Sequence, residues 1–119
     1  MNTKLTGAMG EAYTAEWFRK KRYRILAMNY RCRVGEIDLI AANKKELIFV
    51  EVKLRRSGGL TRAMDAVTRS KQEKLRATAS LWLGQNPQYA GLTQSFAIAE
   101  VYVSEAGEVE RFSLLENAF

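Results

Sequence analysis

Val34-Gly35-Glu36-Ile37-Asp38-Leu39-Ile40-Ala41, the connection Ala42-Asn43-Lys44-Lys45-Glu46, and Leu47-Ile48-Phe49-Val50-Glu51-Val52-Lys53-Leu54 form the stretch that decides the fold. Two runs rich in β-branched residues flank a short polar segment, a pattern that predicts a β-hairpin. In the second run a period of two puts Ile48, Val50, Val52 and Leu54 on one face. Leu47, Phe49, Glu51 and Lys53 then occupy the other.

Working outward, residues 6–22 read as a helix, with Leu5, Met9, Ala12 and Ala15 or Glu16 recurring at helical spacing. It ends in Arg19-Lys20-Lys21-Arg22, a basic run that suits the helix dipole by itself. A short strand is expected at residues 23–28. Downstream, Arg55-Arg56-Ser57-Gly58-Gly59 reads as a basic, glycine-containing loop. A helix follows, interrupted near residues 68–70, where Ser70 and Glu73 have the spacing of a capping box. Its apolar stripe is Leu75, Thr78 or Ala79, and Trp82, and Gly84 with Pro87 stops it. Residues 96–103 and 109–114 read as strands joined at Glu105-Ala106-Gly107. The order αβββαββ predicts an α/β fold: one mixed β-sheet flanked by helices, a single domain over residues 1–119.

Composition narrows the chemistry. The chain of 119 residues has 19 Lys and Arg against 13 Asp and Glu, and no histidine. Ser-His-Asp triads, Cys-His dyads and the common zinc sites are thereby excluded. Hydrolysis would have to run on carboxylates, lysine and a hard metal ion. Charge is uneven: residues 1–76 hold 18 of the 19 basic side chains and 8 of the 13 acids, and only Arg111 is basic beyond them. Such asymmetry points to a polyanion on one face. Cys32 is the single cysteine and forms no internal disulfide. With no apolar leader at the start and no run long enough to span a bilayer, the expectation is a cytoplasmic protein.

Asp38, Glu51 and Lys53 sit where strands should bury apolar groups, so each needs a partner, a metal or water. Glu51 and Lys53 project from one face with their side-chain bases about 7 Å apart. Asp38, on the neighbouring strand, can point to the same face. Two carboxylates beside a lysine suit Mg²⁺, which takes one or two carboxylates and fills its shell with water and phosphate oxygens. Such an ion polarises a phosphate oxygen and acidifies the attacking water, while Lys53 orients or helps deprotonate that water, or offsets charge on phosphorus. The same three residues also fit an ion-paired cluster at a sheet end or an exposed strand face, and spacing alone does not separate these readings. Glu36 shares Asp38's face by period two, which suits either a contact to metal or water or an edge-strand salt bridge.

Gly35 to Ala41, followed by Phe49-Val50-Glu51-Val52-Lys53-Leu54-Arg55, resembles the D…(D/E)xK motif. That motif marks the nuclease superfamily of type II restriction enzymes and archaeal Holliday-junction resolvases. The chain is most similar to the small bacterial YraN-like family, and the likeness includes Gly10-Glu11, Asn29-Tyr30-Arg31, Lys71-Gln72 and Glu116-Asn117-Ala118-Phe119. The resemblance implies a restriction-endonuclease-like core with Asp38 and Glu51 as metal ligands and the Val52 carbonyl as a third. It implies Lys53 as the catalytic lysine and Glu11 as the first-helix glutamate that completes the acidic cluster. One stretch departs: Gln94-Ser95-Phe96-Ala97 stands where the family pattern has an Arg-Phe-Asp type of sequence.

For nucleic-acid contact the candidates are Arg55 and Arg56 after the active strand, Lys71 near the start of the later helix, and Arg33, with Arg31, Arg62 and Arg69 behind them. Trp17, Phe18 and Trp82 have the helical spacing of core or interface residues. The expected function is a Mg²⁺-dependent DNA endonuclease, with Mn²⁺ able to substitute, that selects branched DNA such as Holliday junctions. It would act as a homodimer, with a recombination or repair protein as a further partner. The alternatives are a non-catalytic DNA-binding or scaffold protein that keeps the nuclease fold, and an RNA-acting nuclease.

Overall fold

A computed structural model describes residues 7–56 and 67–119. The hairpin forms around Asn43, whose Oδ1 accepts from the N–H groups of Lys45 and Glu46, each at 2.8 Å. In chain order the elements are α1 (Gly7–Lys20), β1 (Arg24–Cys32), β2 (Gly35–Ala42), β3 (Glu46–Arg56), α2 (Arg69–Gln85), a 3₁₀ turn (Pro87–Tyr89), β4 (Thr93–Val103) and β5 (Val109–Leu115). The expected αβββαββ order holds. The strands form one sheet in the spatial order β1-β2-β3-β4-β5, antiparallel throughout except for the parallel ladder of β3 with β4. A parallel pair needs a crossover, and α2 supplies it. This mixed sheet between two helices is the restriction-endonuclease-like core that the motif implied.

The period of two in β3 divides the core as expected. On one face Ile48 and Val50 pack with Leu39, Ala41, Ala97 and Ala99 against Ala15 and Phe18 of α1. On the other, Leu47 and Phe49 pack with Ile40 and Ala42 against Leu75, Ala79 and Trp82 of α2. Burying each large apolar side chain contributes about 1.5–3 kcal/mol, so both helices are held chiefly by these faces. Phe18 and Trp82 are core residues, and Trp17 lies against Phe112 with ring centroids 5.2 Å apart.

Several boundaries and faces differ from expectation. The buried side of α1 is Gly10, Thr14, Ala15 and Phe18, whereas Met9 is 39% exposed. A Cβ at Gly10 would stand 3.3 Å from Val52 Cγ1, so α1 rides on β3 through a glycine. The Thr14 hydroxyl donates to Gly10 O at 2.7 Å, which satisfies it without a polar partner elsewhere. A face built from Gly and Thr does not register as apolar periodicity. Leu5 lies outside the described residues.

β1 runs on to Cys32 because it pairs with β2 as far as Gly35, and a bulge between Ile25 and Ala27 absorbs the irregularity. Arg55 and Arg56 end β3 rather than opening a loop, because their backbones continue the ladder opposite Tyr102 and Val103. Ser57, Gly58 and Gly59, and with them most of the predicted loop, fall outside the described residues. The cap of α2 is Thr68, whose hydroxyl accepts from Lys71 N at 3.2 Å, so Ser70 and Glu73 lie inside the helix and form no capping box. Gly84 is also helical, and α2 ends at Gln85 just before Pro87. β4 begins at Thr93, three residues before the predicted start.

Candidate metal centre

β2 stays paired with β3 only over residues 39–42 against 47–50. Beyond Leu39 the strands part, and the Val52 N–H is met by a side chain instead: Asp38 Oδ2 accepts it at 2.8 Å. The parting opens a pocket of about 350 Å³ under the first turns of α2, lined by Gly35, Glu36, Asp38, Glu51, Lys71 and Lys74 among others. α2 can lie this close because Gly35 has no side chain. A Cβ there would stand 2.8 Å from Thr78 Oγ1.

Glu51 is the electrostatic hub. Its Oε2 lies 3.2 Å from Lys53 Nζ and 3.1 Å from Lys71 Nζ, and its side chain is only 11% exposed. The structure thus brings together Asp38, Glu51 and Lys53 and adds Lys71, which the sequence suggested only as a contact for phosphate. A lysine in a helix's first turn opposes the macrodipole. Glu51 explains its position there.

The titration behaviour follows from crowding. Burial pushes Asp38 up to about 6, against the hydrogen bond from Val52, and the negative charges of Glu51, Glu11 and Glu36 add to the rise. Lys53 is lowered, first by burial and then by the neighbouring Lys71 ammonium, while Glu51 opposes the drop. For Lys71 burial also works downward, yet its hydrogen bond to Glu51 leaves it raised. Two ammonium groups on one carboxylate oxygen cannot hold their protons equally, and the more buried Lys53 gives way.

Of the remaining sequence candidates, Glu11 Oε1 accepts from Asn29 Nδ2 at 2.8 Å. Its charge still reaches Asp38. Asn29 has a left-handed backbone (φ 54°), which asparagine adopts more readily than most residues. Glu36 lines the pocket and also makes the cross-strand pair with Arg31, 3.6 Å apart and exposed. Arg33 is exposed in the turn from β1 to β2, and Arg56 and Arg69 are exposed at the ends of β3 and α2. Arg55 is largely buried, its Nε 3.4 Å from Glu100 Oε2. Arg62 lies outside the described residues. In the departing stretch Ala97 is part of the α1-side core and Gln94 is exposed, so no charged group stands there.

Sequence reasoning missed Glu100. It is 6% exposed, lies beside Lys53 in the β3–β4 register, and accepts from the Tyr102 hydroxyl at 3.3 Å as well as from Arg55. The signal was present: Glu100 interrupts the apolar strand Phe96-Ala97-Ile98-Ala99 as Glu51 interrupts β3.

The donor set fits a hard cation of low ligand demand. Among the described residues no three His, Cys, Asp or Glu side chains converge to hold an ion by themselves. Asp38 and Glu51 each keep one oxygen, Oδ1 and Oε1, outside the hydrogen bonds and ion pairs described above. Two carboxylates with a backbone carbonyl and water are what Mg²⁺ characteristically takes.

A model of the uncharacterised protein family UPF0102 matches residues 10–115. The chain is 36% identical over 119 residues to a UPF0102 protein of Caldicellulosiruptor saccharolyticus, covering 100% of both chains. It is 38% identical over 122 residues to one of Acetivibrio thermocellus, covering 99% of this chain and 93% of that one. A third, from Geobacter metallireducens, is 34% identical over 119 residues, with 100% and 95% covered.

Proposed function

Because the chain belongs to the uncharacterised protein family UPF0102, whose description assigns no activity, we propose its function from its site: a metal-dependent endonuclease that hydrolyses phosphodiester bonds in DNA. One observation carries this reading. Asp38 and Glu51, from strands that part at that point, line one pocket with Lys71 and Lys74, and Lys53 reaches Glu51 from the neighbouring position on β3. Carboxylates repel phosphate unless a cation intervenes, so acids and lysines in one pocket suit a metal and a phosphodiester together.

The carboxylates of Asp38 and Glu51, with the Val52 carbonyl, would hold Mg²⁺, or Mn²⁺ in its place. When bound, the ion supplies Lewis-acid polarisation of the phosphate and acidification of water. Glu11, its Oε1 held by Asn29, would add negative charge to the site from α1 and so favour a bound cation. Lys53, with its lowered affinity for a proton, accepts one from the attacking water or orients that water. Lys71 stays protonated and offsets charge developing on the phosphoryl oxygens. Arg33 and Arg56, exposed at strand ends, contact the backbone, and Arg55 is anchored by Glu100.

The chain is proposed to select DNA by shape, with branched substrates such as Holliday junctions favoured. The described residues form one such pocket, so cutting two strands is proposed to use a homodimer or a recombination or repair partner. The decisive experiment incubates pure protein with labelled four-way junction, flap, single-stranded and duplex DNA, and with RNA. Each is run with Mg²⁺, Mn²⁺ or EDTA, beside Asp38→Ala. Metal-dependent cutting that the substitution abolishes is expected. Binding without cutting would favour the scaffold reading, for which the double lysine clamp on Glu51 already provides metal-free charge balance. Cutting confined to RNA would move the substrate, not the site.

A further inference from the structure

Among the described residues a second pocket is larger than the acidic one. A pocket of about 650 Å³ lies between the end of α1 and the β2–β3 turn, and five cations line it: Lys21, Arg22, Arg24, Lys44 and Lys45. Strands rise about 3.3 Å per residue, so this turn is about 16 Å along β2 from Asp38. Among the described residues none of the five side chains meets a carboxylate within 4 Å or makes a hydrogen bond, and Lys21 alone has a partner, the Trp17 ring at 5.4 Å. Glu46, the acid nearest in sequence, is engaged by the Tyr23 hydroxyl. Elsewhere Arg19, Arg31, Lys53, Arg55 and Lys71 each have a carboxylate, and Lys20, Arg33, Arg56, Arg69 and Lys74, which among the described residues do not, are exposed at separate places rather than gathered in one pocket of this kind.

The helix dipole accounts for cations at the end of α1, but not for Lys44 and Lys45 at the tip of a hairpin. Arg22 adds a second oddity. Its φ of 70° places it in the left-handed region just beyond the helix, where glycine is the unstrained choice. An arginine held there at a conformational cost, facing four other cations, suits a site whose counter-charge comes from outside the chain.

We propose that this pocket is a second phosphate-binding site, which grips the backbone of duplex DNA away from the Asp38 and Glu51 pocket. The proposal rests on the nuclease reading for its choice of polyanion and extends it by placing a second contact on the substrate. Among the lining residues only Ala42 is apolar, and it is buried, so the surface offers nothing to insert into a bilayer. Paired cations along a backbone act by releasing counterions, which makes the site readable through salt.

The test is anisotropy of a labelled duplex DNA in EDTA across a salt series, so that binding is read without turnover. Lys44→Ala with Lys45→Ala is expected to lower the slope of log affinity against log salt by about two and weaken binding roughly ten- to fifty-fold at 0.1 M salt. Ala77→Glu with Ser80→Glu, on exposed positions of α2, changes net charge equally and is expected to do far less. Arg22→Gly is expected to weaken DNA binding while keeping or raising the melting temperature, which a merely structural arginine would not do. The proposal is overturned if the lysine pair binds as wild type or matches the α2 control, or if phosphatidylglycerol vesicles bind more tightly than DNA and respond to the same substitutions. Metal-dependent cutting by a lysine-pair variant with unaltered binding would sink this inference and leave the nuclease reading intact. Absence of cutting by wild type, with binding still sensitive to Lys44 and Lys45, would do the reverse.

Discussion

Asp38 stands at the point where β2 leaves β3, accepting the Val52 N–H from a position pushed up to about 6 by burial and by other carboxylates. Its ordinary value is 3.8, so the folded state binds its proton more tightly than the unfolded one does. The stability this adds is complete below about pH 4 and is lost as pH rises through about 6. Metal-free Asp38→Asn should therefore match wild type near pH 4 and exceed it by about 1–2 kcal/mol at pH 8, after allowance for solvent screening. Urea denaturation across pH checks this; a gap that widens toward acid would contradict it. Mn²⁺ should raise the melting temperature of wild type at pH 8, do little at pH 5, and leave Asp38→Asn unmoved. Glu100 makes a second residue-scale case. Arg55→Ala leaves the buried Glu100 carboxylate with, among the described residues, the Tyr102 hydroxyl alone and should cost about 2–4 kcal/mol in the same assay. Glu100 was legible by the rule that found Glu51, an acid inside an apolar strand. What was not legible was its partner, because Arg55 reads as part of a loop until the parallel ladder is seen.

The elements carry their own lessons in how they meet. The alternating runs of β2 and β3 and the Leu75, Ala79 and Trp82 stripe of α2 follow from periodicity alone, and the structure keeps them. The face of α1 does not, since its contact with β3 is made by Gly10 and Thr14, small residues chosen for close approach. The same close approach operates at Gly35, beneath α2. Gly35→Ala sets a methyl group against Thr78 Oγ1 and should cost about 1–3 kcal/mol by displacing the helix that carries Lys71. Thr78→Ala removes the obstructing hydroxyl, so the double variant should be more stable than the sum of the two single effects. Strict additivity in a double-mutant cycle would refute the clash. The N-cap governs the same helix: Thr68→Ala should cost about 1 kcal/mol and loosen Lys71 from Glu51, seen as lower stability in thermal melts. A cap of this kind was hidden because Ser70 and Glu73 offered the more familiar spacing two residues later.

At the scale of the molecule, charge and layering were legible before any coordinate: a basic first part, and a sheet between two helices. The convergence of Lys71 on Glu51 was not, because the two lie 20 positions apart in sequence and meet through the packing of α2 on the sheet. The second basic pocket was half visible, as two separate runs whose adjacency only the hairpin reveals. One property of the sheet reaches further. Its strands stand in sequence order, and β3 meets β4 along a single parallel ladder of 11 residue pairs. The chain is therefore two contiguous halves joined along that ladder and by the two helices, α2 lying on β2 and β3 and α1 reaching β4, with Asp38, Glu51, Lys53 and Glu11 on the first and Lys71 and Glu100 on the second. Divided between Arg56 and Val67, the two pieces expressed as separate polypeptides should each be incompetent and regain function only on mixing. The molecule would thus serve as a complementation reporter, silent until two fused partners bring its halves together.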